Sequence, residues 1–166
     1  MSRLRLSVRG VDGPAHSREE LVGDLLAHIF WDTNLFIYLF EQHPALGDLV
    51  RQLRRKMRDR GDSLVTSAMT VGEVLVKPIR SGDEALRKRY LALFSQPEIR
   101  VLPFDLEAAD AYSQIRQDKS IRPPDAIQLA CAAAAGVQLF ITNDDRLSHA
   151  NVTGIDFITS LKRAPL

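Results

Sequence analysis

The stretch HIFWDTNLF at residues 28–36 sets Asp32, Thr33 and Asn34 inside what is otherwise one apolar run. A carboxylate buried in such a run is costly unless its charge is compensated. A second polar exit follows a second apolar run, where QLFI at 138–141 gives way to Thr142-Asn143-Asp144. Two more acids stand at similar junctions: Asp125 behind Pro123-Pro124 at the head of DAIQLACAAAAG, and Glu73 within SAMTVGEVLVK. Carboxylates that converge repel one another unless cations neutralise them. Oxygen ligands without a Cys or His cluster suit magnesium or manganese rather than zinc, and such ions act on phosphodiesters. His16, His28, His43 and His149 form no pair at catalytic spacing, which counts against imidazole-driven chemistry.

Each acid also has a local reading. Asp32 and Asp144 suit helix N-caps, Glu73 stands at capping-box spacing from Thr70, and Asp125 would be favourable at a positive helix end. Caps alone leave unexplained both Asn34, two places after Asp32, and an acid in a helix body beside Gly72. A mid-helix glycine costs about 1 kcal/mol relative to alanine, so Gly72 is expected to allow close backbone approach at the site.

The elements that must position these groups show in the hydrophobic pattern. Apolar runs at 27–31, 63–66, 99–102 and 138–141 have the length of buried strands, and a last short strand is expected at 156–158. Helix-period segments fall at 35–41, 45–58, 68–77, 83–95, 106–118 and 125–135, punctuated by Pro44, Pro78, Pro97, Pro103 and Pro123-Pro124. This alternation predicts a three-layer α/β/α domain with a central, mostly parallel sheet of four to five strands. Parallel crossovers gather the strand ends at one edge, where ligands bind. Residues 1–26 read as an N-terminal extension, partly helical or flexible, with a helix start at Ser17-Arg18-Glu19-Glu20, and residues 27–166 as the domain.

The bulk numbers exclude several classes. With 166 residues, 45% apolar, 26% charged and a net charge of +1, the chain has the composition of one globular domain able to bury a core and shows no bulk attraction to polyanions. A lone cysteine, Cys131, rules out an internal disulfide framework and suits a reducing compartment. The apolar run at 35–40 is too short to span a bilayer, and MSRLRLSVRGVDG has no apolar signal core. A cytoplasmic protein without membrane contact is expected.

FWDTNLFIYLFE, TSAMTVGEVL, PPDAIQLACAAAAG and LFITNDDRL together resemble the four motifs of the PIN-domain ribonucleases, most of all the VapC-type toxins of bacterial toxin–antitoxin pairs. The resemblance runs from about residue 27 to the C-terminus. It implies that Asp32 and Asp125 hold a Mg2+ or Mn2+ ion most directly, that Asp144 completes the site directly or through water, and that Glu73 is a ligand or positions the attacking water. Thr33, Asn34 and Thr142 would orient these carboxylates. Asp145 is a second acid beside Asp144, and the offset from Thr142 favours Asp144 of the two. Also implied are endoribonuclease activity, a homodimer and a small antitoxin protein as partner.

A basic surface accompanies the acids. In ALGDLVRQLRRKMRDRG the apolar Leu46, Leu49, Val50, Leu53 and Met57 share one face, while Arg51, Arg54, Arg55 and Arg58 share the other, as RNA-backbone contacts or as a solvated face. Arg116, Lys119 and Arg122 stand just before Asp125. Phe36, Tyr38, Leu39 and Phe40 form more apolar surface than one face of a short helix needs, part of it core and part meeting an antitoxin or a second subunit, with the core reading favoured for Phe36 and Phe40 over Tyr38. Two other functions compete: a non-catalytic PIN-like RNA-binding or interaction module, which would be expected to have lost an acid, and a DNA-directed metal nuclease. A phosphatase working through an aspartyl-phosphate typically starts D-x-D, whereas Asn34 stands in the second place here.

Overall fold

The computed structural model describes residues 26–164. All of the expected N-terminal extension except Leu26, with its helix, lies outside the described residues.

Five strands, β1 (His28–Trp31), β2 (Ser63–Ser67), β3 (Ile99–Leu102), β4 (Leu139–Thr142) and β5 (Phe157–Ser160), form one sheet in the order β3-β2-β1-β4-β5. Every neighbouring pair is parallel. Side chains along a strand alternate between faces, and both faces here are apolar, so the sheet must be covered twice. Ile29, Trp31, Leu64 and Ile141 join one core with Leu35, Phe36, Val50, Met57 and Val74. Phe30, Val65 and Phe140 join the other with Ala108, Ala126 and Leu129. Phe30 and Phe140, opposite each other in register, stack with ring centroids 4.7 Å apart.

Helices α1 (Thr33–Phe40), α2 (Gly47–Arg60), α3 (Ala68–Ser81) and α4 (Glu84–Phe94) supply the first layer, and α5 (Leu106–Ile115) and α6 (Pro123–Ala134) the second. This is the expected α/β/α sandwich. The chain builds β1, β2 and β3 outward in one direction, then returns past β1 to lay β4 on its other side. The order therefore reverses between β1 and β4, and the crevice beyond their C-terminal ends is where a parallel sheet offers a ligand site. Asp32 and Asn143 are the residues that leave those two strands.

Several local expectations are corrected. Pro78 does not stop α3, which continues to Ser81. Pro78 and Val74 are buried on the same face, and that packing offsets the one ladder hydrogen bond a proline forfeits. The cap of α3 is Ser67, whose Oγ accepts from the Thr70 N–H at 3.3 Å, so Thr70 is not a capping residue. Gly72 brings no backbone close: a Cβ there would meet open space. Tyr38 is half-buried, and its hydroxyl accepts from Asn143 Nδ2 at 3.0 Å, joining α1 to the exit of β4. Among the described residues no helix is long and apolar enough to cross a membrane.

Two glycines respond oppositely to a methyl group. Gly72→Ala should stabilise the protein by about 1 kcal/mol, since nothing obstructs the new side chain. At Gly154, with φ +95°, a Cβ would lie 2.7 Å from the Ala133 carbonyl oxygen. Gly154→Ala should therefore destabilise by more than about 1 kcal/mol. Urea unfolding midpoints of the two variants test both signs.

Candidate active site

Asp32 ends β1 in an extended conformation and caps α1. Its Oδ1 accepts from the Thr33 N–H and its Oδ2 from the Thr142 hydroxyl, each at 2.6 Å. Its backbone N–H donates to the Ile141 carbonyl at 3.0 Å, so the carboxylate is carried at the junction of β1 and β4. The residue is 5% exposed and no lysine or arginine reaches it among the described residues. Burial pushes its pKa up to about 6; the bonds from Thr142 and Thr33 oppose the rise, and the charges of Asp125 and Glu73 add to it. The N-cap reading is thus correct as far as it goes, but it satisfies neither the burial nor the neighbouring charges.

Glu73 does not fold back on Thr70. Its Oε2 accepts from the Thr33 hydroxyl at 2.5 Å and from the Gln128 side-chain amide at 2.8 Å. Gln128, 1% exposed, also donates to Thr33 Oγ1 at 2.9 Å, while its Oε1 accepts from the Thr70 hydroxyl at 3.2 Å. Sequence reasoning passed over Gln128. The available signal was its polar side chain in the apolar run of DAIQLACAAAA, three residues after Asp125 and hence on the same helix face.

Asp125 lies in the first turn of α6 behind two prolines, and its carboxylate makes no hydrogen bond among the described residues. Its pKa is raised, first by burial and then by the charge of Asp144, against the pull of Arg146 and Arg122. Asp144 is held instead by Arg146, whose N–H and Nε donate to Oδ1 at 2.9 and 3.0 Å and whose guanidinium also reaches Oδ2. That bond holds Asp144 below the usual carboxylate range. Thr142 joins the groups, donating to Asp32 and accepting from the Asp144 N–H at 3.0 Å. Asn34 is half-buried and bonds none of the four acids, whereas Gln128 bonds Glu73. Asp145 is exposed.

The four acids form a chain of electrostatic neighbours, Glu73 beside Asp32, Asp32 beside Asp125, and Asp125 beside Asp144. Among the described residues no group of three or more His, Cys, Asp or Glu side chains is placed to hold a metal ion. The cations nearest the acids are Arg122 and Arg146. Arg54 and Arg58 line a groove with His28, Ser63 and Glu98, at the strand starts and therefore at the opposite edge of the sheet. Arg51 pairs with Asp48, and Arg55 is exposed.

An all-parallel α/β/α sheet with acids gathered at its switch crevice defines a class of domain, and the comparisons narrow it. The PIN domain model matches residues 29–152, and the chain belongs to the PIN domain family. The fold is shared with VapBC2 from Rickettsia felis bound to a DNA fragment from their promoter, at 14% identity and TM-score 0.64, covering 80% of this chain and 98% of that one. It is also shared with VapC20 of Mycobacterium tuberculosis, described as a Sarcin-Ricin loop cleaving toxin, at 19% identity and TM-score 0.63, covering 76% and 97%. A toxin-antitoxin complex from Klebsiella pneumoniae matches at 21% identity and TM-score 0.57, covering 76% and 94%. No curated protein matches the chain by sequence.

The raised Asp32 pKa has a stability consequence. Between the ordinary value of 3.8 and about 6 the folded chain holds a proton that the unfolded chain has lost. Stability therefore falls as pH rises through that window, by on the order of 3 kcal/mol. Without divalent ions, Asp32→Asn should be more stable than the wild type at pH 7.5 and should lose that advantage near pH 4. Urea midpoints at the two pH values measure this, and an unchanged difference would count against the buried carboxylate.

Proposed function

We propose that this chain is an endoribonuclease dependent on Mg2+ or Mn2+ and the toxin of a toxin–antitoxin pair. The observation that carries the reading is Asp32: a buried carboxylate with no cationic partner among the described residues, beside Glu73 and Asp125, at the switch crevice of a PIN-family sheet. The donor set fits a hard divalent ion, because it is all oxygen, Asp125 makes no hydrogen bond, and Glu73 bonds through Oε2 alone.

Asp32 and Asp125 would hold the ion, with Glu73 and Asp144 completing its surroundings. When bound, it supplies neutralising charge to the phosphodiester and acidity to the attacking water. Thr142 and Thr33 keep the Asp32 carboxylate in one orientation. Arg122 and Arg146 place positive charge beside the acids, suited to flanking phosphates. RNA is preferred over DNA as substrate by likeness to the ribonucleases of the family and to the Mycobacterium tuberculosis toxin. The Klebsiella pneumoniae complex supports an antitoxin as partner. Val76 and Ile79, 51% and 63% exposed on α3, supply uncovered apolar surface for it or for a second subunit of a homodimer.

Cleavage of RNA by the purified protein should require Mg2+ or Mn2+ and stop with EDTA. Asp32→Asn and Asp125→Asn should each lower the rate by more than about 100-fold, beyond what loss of an outer partner costs a metal site. Metal-independent cleavage, or full activity in both variants, would overturn the proposal.

RNA binding separates the two basic regions. Charge reversal at Arg122 and Arg146 should weaken binding and reduce the magnitude of the salt slope by roughly one per residue, whereas reversal at Arg54 and Arg58 should leave the slope unchanged. Filter binding across a salt series gives the slopes.

A further inference from the structure

We infer that Gln128 is a positioning residue that restricts Glu73 to a single working oxygen, Oε1. The inference rests on the metal-dependent reading above and adds a residue and a polarity to it.

The Glu73 carboxylate, an acceptor only, sets the sense of the donors and acceptors around it. A side-chain amide offers donors at one end and an acceptor at the other. The Gln128 carbonyl oxygen accepts from the Thr70 hydroxyl at 3.2 Å, which turns the NH2 group toward the Glu73 carboxylate and Thr33 Oγ1, at 2.8 and 2.9 Å. The reverse orientation would set an oxygen against the carboxylate. The Thr33 hydroxyl then spends its proton on the same oxygen, Glu73 Oε2. Two donors therefore converge on Oε2 and none reaches Oε1 among the described residues.

Burial gives the arrangement force. Gln128 is 1% exposed and Thr70 is fully buried, so neither exchanges these partners for water, and an unmade bond at such a depth is costly. The clamp also crosses the layers, since α6 packs on one face of the sheet while α1 and α3 pack on the other. Thr33 follows Asp32 and Gln128 follows Asp125 by one helical turn. The same side chains thus set the spacing between the two acids assigned as principal ligands and the carboxylate opposite them.

The test uses Gln128→Met, which keeps length and apolar packing but removes the amide, together with Thr70→Val, which leaves Gln128 in place but frees its orientation. Mn2+ binding to the full chain without RNA is measured by calorimetry, with melting temperature and separate kcat and KM for RNA cleavage. Gln128→Met is expected to weaken Mn2+ binding by about 10–100-fold, as removal of outer partners does, and to lower kcat with little change in KM. Thr70→Val should shift both in the same direction by less. The double variant should be no worse than Gln128→Met, the non-additivity of residues in one network.

Mn2+ binding within about two-fold of the wild type in folded Gln128→Met, with only the melting temperature lowered, would make Gln128 a packing residue and overturn the inference while leaving the nuclease reading intact. If Gln128→Met does not fold, wild-type Mn2+ affinity in Thr70→Val overturns it equally. Failure of the wild type itself to bind Mn2+ would overturn the nuclease reading and this inference with it; Asp32→Asn, expected to lose binding, is the reference for that outcome.

Discussion

A carboxylate buried at the end of the central strand is the constraint around which the rest of the molecule is arranged. Asp32 cannot move to solvent, because its backbone is already bonded to β4 and its side chain caps α1. Its charge is therefore confined to the gap between β1 and β4, the one place where the strand order reverses. Neutral donors from Thr33 and Thr142 lower the cost without removing it, and the acids nearby raise it. Such a group is a poor contributor to stability and a good receiver of a cation.

The polar residues around Asp32 are connected across the layers of the fold. Thr142 joins the ends of β1 and β4 and reaches the backbone of Asp144. Thr33, Glu73, Gln128 and Thr70 join α1, α3 and α6 in one closed set of bonds. These bonds tie the two layers together, so this edge is positioned by two apolar cores at once. The stacked Phe30 and Phe140 lie directly beneath this edge and hold β1 and β4 in register.

Charge is distributed with the same economy. Arg146 holds Asp144 and Arg122 lies beside it, so positive charge stands at the acidic edge of a chain whose net charge is only +1. The arginine-rich helix α2 instead turns Arg54 and Arg58 to the far edge. Helices that follow parallel strands run back toward the strand starts, and that reversal carries the end of α2 away from the site whatever its composition.

Much of this follows from local pattern. Short apolar runs are enough to place the five strands to within a few residues, and a polar residue at a strand end marks the edge where ligands bind. Asp32, just past β1, and Thr142, the polar last residue of β4, were visible for that reason. The partners were not, because hydrogen bonds that join residues 40, 95 and 110 positions apart depend on which strands are neighbours and which helix faces meet. Local spacing assigned Glu73 to Thr70; tertiary packing gave Glu73 to Thr33 and Gln128. Periodicity tells a side chain which face it occupies, but only the closed sheet, with its order reversing between β1 and β4, decides what stands opposite.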